Sequence, residues 1–306
     1  MGHEDHLAGQ ATRSFVIART EIAARPLAPA LYLVSTPIGN LADITIRALE
    51  TLAAADIVAA EDTRVTRVLL DRYGIRQRPT AYHEHNADEA GPRLIAALGE
   101  GKSVALVSDA GTPLVSDPGY RLVERALEAG IEVVPIPGAS AVLAALTASG
   151  LPSDAFLFAG FLPAKAGARR SRLEALRSTP TTLIFFESPH RLAESIDLMT
   201  DILGPDRHAV VARELTKAFE EIRRGTLGEL AAHYREAATP KGEIVICVAP
   251  SAEKPAATAD VDALLTSLAA EMPASKAAAE AAKMTGLAKP ELYRRLIELK
   301  AARDGR

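Results

Sequence analysis

The strongest constraint on this chain of 306 residues is an alternation of short apolar runs with amphipathic helical stretches. In the first half the runs are Leu31–Val34, Asp56–Ala59, Ser103–Val107 and Ile131–Val134. Helical periodicity covers Ile44–Ala54, Ala87–Leu98 and Tyr120–Ala129 between them. Apolar strands joined by amphipathic helices predict βαβ units and a mostly parallel sheet. A small-residue helix over Gly138–Gly150 closes an α/β domain at 30–150, and Leu151–Asp154 reads as a linker. A second α/β domain, 151–250, has strands at Phe156–Gly160, Thr182–Phe186, His208–Arg213 and Glu243–Val248, with helices at Ala168–Leu176 and Arg191–Leu203. Its short connections predict a mixed sheet.

The ends are read differently. Residues 1–29 lack periodicity and predict a disordered leader. Pro250–Thr258 is a Pro/Ala spacer. The tail, 258–306, carries two short helices around a Gly-containing turn, a pattern that suits a helix-turn-helix and equally a plain helical hairpin.

Composition removes several function classes. Trp is absent and aromatics are 4% of residues, too few for a base-stacking platform. The net charge of −4 lacks the basic excess of a non-specific nucleic-acid binder. One cysteine, Cys247, permits neither an internal disulfide nor a thiolate metal cluster, and its apolar run makes it a packing residue. No metal site is expected. No apolar stretch approaches the ~20 residues needed to span a membrane, and no signal pattern opens the chain. These features predict a cytoplasmic protein.

Four loops at predicted strand ends carry the chemistry, because ligands of open α/β sheets bind outside the carboxyl ends of strands. Ser35–Thr45 holds one Gly, so it is neither a dinucleotide fingerprint nor a phosphate-cradling loop, and Thr45 suits a helix cap. Ser108–Gly119 holds two Asp, two Gly and two Pro, with Asp117 and Pro118 placed to begin a helix. In Pro135–Ser140, Gly138 allows close backbone approach. Phe186–Arg191 crowds Glu187, His190 and Arg191 at one strand end.

These segments, with Glu61–Arg64, Glu214–Glu221 and Lys241–Val245, occur in the order of the tetrapyrrole methylase superfamily, which the chain resembles from Leu31 to about Val248. Thr-Pro-Ile-Gly-Asn, Glu-Asp-Thr-Arg, Ser-Asp-Ala-Gly-Thr-Pro and Glu-Ser-Pro-His-Arg make it most similar to the branch that methylates bacterial small-subunit ribosomal RNA. The resemblance implies a two-domain class III methyltransferase fold with a helical extension, S-adenosylmethionine in a cleft between the domains, and a homodimer. It also implies methylation of the ribose 2′-oxygen of a decoding-centre cytidine, in small-subunit RNA or the assembled subunit. The first loop departs from the Gly-rich loop of porphyrinoid enzymes, which suits the RNA branch.

Read onto residues, the resemblance places the cofactor on Pro37, Gly39, Asp109, Ala110, Gly111, Thr112, Pro137, Gly138, Ala139, Ser140, Lys241, Gly242 and Glu243. A hydroxyl acceptor benefits from a nearby base, and Glu187, His190 and Lys217 are the candidates, with no choice among them. Arg64, Arg67, Lys165, Arg169, Arg170, Arg172 and Arg191 are expected to meet RNA. Two alternatives stay open: a porphyrinoid C-methyltransferase of the same superfamily, and a non-enzymatic RNA-binding or ribosome-assembly protein.

Overall fold

The computed structural model describes residues 13–117, 119–251, 258–285 and 287–304. A hairpin of β1 (Ser14–Ile17) and β2 (Thr20–Ala23) precedes the first sheet. Then follow β3 (Leu31–Val34), α1 (Ile46–Ala54), β4 (Ile57–Ala60), α2 (Thr63–Arg72), β5 (Thr80–Ala81) and α3 (Ala87–Gly99). The half ends with β6 (Val104–Val107), α4 (Tyr120–Glu128), β7 (Val133–Ile136) and α5 (Ala141–Ser149). The strands lie in the order β5-β4-β6-β3-β7, every pairing parallel, as the apolar runs predict. Leu49, Leu52, Leu69 and Leu70 of α1 and α2 cover one face, and Leu94, Leu98 and Leu122 of α3 and α4 cover the other. Burial on both faces explains why β6 is apolar throughout.

The second half comprises β8 (Phe156–Phe161), α6 (Ala166–Leu176), β9 (Thr182–Glu187), α7 (Leu192–Leu203), β10 (His208–Arg213), β11 (Glu221–Thr226), α8 (Leu227–Glu236) and β12 (Ile244–Val248). Its order is β11-β10-β12-β9-β8, with only β8 and β9 parallel, so the sheet is mixed. Alternation along β12 sends Ile244, Ile246 and Val248 into the core beneath α7 and α8. Val245 and Cys247 face the opposite way, onto Val142, Ala145 and Leu146 of α5 and onto Ile38. Thus α5, capped by Ser140 and ended by a left-handed Gly150, joins the two halves through a shared apolar core. There burial pushes the Cys247 thiol up to about 12, which makes it inert.

The structure corrects the reading of both ends. Part of the expected leader is the β1–β2 hairpin: Phe15 is 1% exposed in the core under α1, and the Val16 amide donates to the Tyr73 carbonyl at 2.7 Å. Residues 1–12 lie outside the described residues. The tail holds three helices, α9 (Thr258–Glu271), α10 (Ala274–Thr285) and α11 (Lys289–Asp304), with their own core around Leu265, Ala277, Ala281, Leu292 and Leu296. The first of them begins at Thr258, where the tail was expected to begin, and the expected Gly-containing turn falls at residue 286, outside the described residues. No helix among the described residues is long and apolar enough to cross a membrane.

The hairpin is held by one large side chain, so Phe15→Ala is expected to cost about 3–5 kcal/mol of unfolding free energy in urea titrations. A loss below about 1 kcal/mol would mean that the hairpin is not anchored in the core.

Candidate active site

Three loops at the carboxyl ends of β3, β6 and β7 are zipped together. The Thr36 amide donates to the Gly111 carbonyl at 2.8 Å, and the Gly111 amide returns the bond to Thr36 at 3.1 Å. The Thr36 hydroxyl donates to the Ser108 carbonyl at 3.2 Å, and Ser35 Oγ donates to Thr112 Oγ1 at 3.2 Å. Thr112 Oγ1 in turn donates to the Ala139 carbonyl at 3.4 Å. Gly111 has φ +85°, and a Cβ there would meet Ile38 at 3.3 Å. A Cβ on Gly138 would stand 2.8 Å from that of Ser35. Both positions need glycine, one for its backbone angle and the other for close approach.

Against this zipped edge the second sheet leaves a cavity of about 430 Å³. Ile38, Ala141, Phe161 and Phe186 supply apolar wall, and Gly242–Val245 supplies backbone. Glu61, Asp109, Asp117, Glu187 and Glu243 bring five carboxyl groups, and no Lys or Arg lines it among the described residues. A neighbouring cavity of about 310 Å³ shares Ile38, Asp109, Ala110 and Glu243, and is walled by Pro37, Gly39, Leu41, Val65, Val68 and Lys217.

The charges have separable causes. Burial pushes the Asp117 carboxyl above the usual aspartate range, and the nearby Asp109 adds to it. Burial likewise raises Glu61, reinforced by Asp117 and Asp109. Burial works against the Lys217 ammonium, but bonds to Glu214 at 2.7 Å and Glu243 at 3.1 Å outweigh it and hold its pKa above the usual lysine range. Lys217 is therefore a cation, not a base. Glu187 is 2% exposed and fully engaged: it accepts from Ser195 Oγ at 2.6 Å and from the Ser188 amide at 2.8 Å, and pairs with Arg191 at 2.7 Å. Arg191 also donates to the Leu162 carbonyl at 3.1 Å.

The expected site residues therefore separate. Asp109, Ala110, Gly242 and Glu243 line the larger cavity, with Pro37 and Gly39 in the smaller one. Gly111, Thr112 and Gly138 shape the loops instead, Ser140 caps α5, and Ala139 and Lys241 lend carbonyls to Thr112 and Arg213. Pro137 is absent from both cavity walls. Of the candidate bases, Lys217 and Glu187 reach cavities but are ion-paired, while His190 is exposed and outside both walls.

Arg169 is corrected: it is 2% exposed and pairs with Glu194, so it cannot reach RNA, and Arg191 is spent on Glu187. Arg67, Lys165, Arg170 and Arg172 are exposed, and Arg64 is exposed but paired with Asp62 at 2.6 Å. Asp117 does not cap α4, whose cap is Gly119 with no side-chain bond. It lines the cavity beside Ser116, and neither was expected there. Phe161 and Phe186, 5.5 Å apart edge to face, were also missed as site residues.

The model of the tetrapyrrole (corrin/porphyrin) methylases matches residues 30–231, and the chain belongs to that family. A second model, the RsmI C-terminal HTH domain, matches residues 255–300. The ribosomal RNA small subunit methyltransferase I of Mesorhizobium japonicum is 74% identical over 285 residues, 93% of this chain and 97% of that one. Its namesake in Escherichia coli O157:H7 is 51% identical over 88% of this chain and 94% of its own length. Among solved structures, diphthine synthase matches with a TM-score of 0.57 at 20% identity, over 72% of this chain and 89% of that one. Uroporphyrin-III C-methyl transferase from Thermus thermophilus, complexed with S-adenyl homocysteine, matches at 0.52 and 20%, over 71% and 96%. At these identities the structural likeness is one of fold.

The raised Asp117 gives a signed prediction. A raised carboxyl favours the fold below its ordinary pKa, and that contribution is lost as pH rises through the raised value. Asp117→Asn is thus expected to raise the unfolding midpoint at neutral pH, with the advantage fading in acid. A lower midpoint at neutral pH would show that the ionised carboxylate stabilises the loop.

Proposed function

We propose that this protein transfers a methyl group from S-adenosylmethionine to small-subunit ribosomal RNA, on the 2′-oxygen of a decoding-centre cytidine. The observation that carries the reading is the acidic cavity between the sheets, in a chain so similar to proteins named for methylating that RNA. Its volume suits a cofactor. Two of the five carboxyl groups are paired, Glu187 with Arg191 and Glu243 with Lys217, which leaves Glu61, Asp109 and Asp117 to favour a sulfonium and an ammonium, while Ile38, Phe161 and Phe186 suit an apolar ring face. Backbone at Asp109–Ala110 and Gly242–Ile244 would hold the cofactor's polar groups. When bound, it supplies an electrophilic methyl open to in-line displacement.

The chain's own part is to position the donor, exclude water and take up a proton. An acidic cavity repels phosphates, so the RNA backbone must keep to cations outside it, and Arg67, Lys165, Arg170 and Arg172 are exposed and line neither cavity. The tail adds Lys289, Arg294 and Lys300, consistent with its match to a helix-turn-helix domain.

The decisive assay treats small ribosomal subunits with enzyme and methyl-labelled cofactor, then analyses the nucleosides by mass spectrometry. The expected label leaves with the sugar on glycosidic cleavage, and label retained on the free base would refute the 2′-oxygen assignment. Gly111→Val tests the cofactor assignment. It forces a β-branched residue to φ +85° and loosens the Asp109–Ala110 wall. Calorimetry is expected to show cofactor affinity lowered at least about 100-fold with the far-UV spectrum retained, a loss near 3 kcal/mol. Normal affinity would place the cofactor elsewhere.

A further inference from the structure

Beyond Glu61, Ser116 and Asp117, which form a shared wall with the larger cavity, lies another opening of about 500 Å³. The segment Tyr82–His85 and the start of α4 complete it. Its character differs from that of the 310 Å³ cavity, which is mostly aliphatic and whose one cation is neutralised by two carboxylates. Here Tyr120 stands 68% exposed at the rim and His85 is exposed beside it. Arg121 is also exposed, its nearest carboxylate being Asp88 at 3.5 Å. No side chain caps α4. The loop that gives Ser116 and Asp117 to the dividing wall is held in costly backbone, with Leu114 at φ +73° and Ser116 at φ +66°, and such strain gathers at functional sites.

We propose that this opening takes the acceptor nucleotide and that Glu61, standing between the two cavities, takes the proton from its ribose hydroxyl. The inference rests on the function proposed above and deepens it. The 2′-oxygen lone pair forms the new O–CH₃ bond as the S–CH₃ bond breaks. That bonding pair stays on sulfur, giving neutral S-adenosylhomocysteine. The hydroxyl proton passes to the Glu61 carboxylate and then to water.

Glu61 is favoured by what its neighbours are doing. Glu187 is closed off by Arg191 and Ser195, Lys217 is a paired cation, and His190 lies outside the walls. Asp109 accepts the Asp62 amide at 2.9 Å. Burial and the adjacent Asp117 and Asp109 hold Glu61 above the ordinary glutamate range, which strengthens it as a base. Tyr120 or His85 offers a ring for a splayed base, and the uncapped start of α4 with Arg121 offers donors for a phosphate.

The test compares wild type, Glu61→Gln and Tyr120→Ala on small ribosomal subunits at saturating S-adenosylmethionine, with cofactor binding followed by calorimetry. Glu61→Gln is expected to lose about 100-fold or more in kcat while still binding the cofactor. Tyr120→Ala is expected to raise KM for subunits roughly tenfold with kcat kept. Wild-type kcat in Glu61→Gln, or loss of activity explained by lost cofactor binding, overturns the assignment of the base. Should Glu61→Gln fail to fold, the exposed Tyr120 still decides the subsite, and an unchanged KM overturns it. Wild-type enzyme that puts no methyl on ribose refutes the underlying function instead.

Discussion

The mutual backbone bonds between Thr36 and Gly111 are the constraint on which the site depends. They join the loop after β3 to the loop after β6, elements more than 70 residues apart in sequence. Ser35 and Thr112 extend the join to the loop before α5. Once these loops are fixed, Ile38 is driven into the core that α5 shares with the second sheet. Asp109 and Ala110 are then held at the wall common to both cavities. A single exchange of amide and carbonyl thus couples the strand ends to the seam between the halves.

Charge is partitioned as strictly as backbone. Lys217 is bound to Glu214 and Glu243, and Arg191 to Glu187. The larger cavity is left with carboxyl groups whose charge is opposed first by burial and then by mutual repulsion, as the upward shifts of Glu61 and Asp117 record. A fold bears that repulsion only at some loss of stability, the usual signature of a site shaped for a ligand rather than for the fold. Exposed cations such as Arg67 on α2, Arg170 on α6 and Lys300 in the tail stand outside that cavity.

Much of this was legible in the sequence, and what was missed has physical causes. Buried parallel strands such as Val104–Val107 must be apolar throughout, and Thr45 is a short polar residue at a helix start, so these announce themselves. The β1–β2 hairpin does not, because four of its eight residues form a fully exposed strand and Phe15 alone is buried. The edge strand β11, Glu-Ile-Arg-Arg-Gly-Thr, hides for the same reason: a half-buried edge carries charge. At the site, the crowding of Glu187 and Arg191 was visible, but the bond that Ser195, a full turn into α7, adds to the other oxygen of Glu187 was not. Asp117 looked like a helix cap until Gly119 proved to hold that position, since capping and cavity lining use the same residue type. Arg169 sat in a basic cluster whose buried face only the packing of α6 on α7 reveals.

The central claim is that the loops zipped by Thr36 and Gly111 form the donor side of a methyltransferase cleft. A crystal structure of the protein with S-adenosylhomocysteine tests it most directly. The account predicts the ligand in the larger cavity, its polar groups on the backbone of Asp109–Ala110 and Gly242–Ile244 and its sulfur facing Glu61. Ligand density confined to the smaller cavity between Pro37–Leu41 and α2, or lying outside the seam between the two sheets, would contradict it.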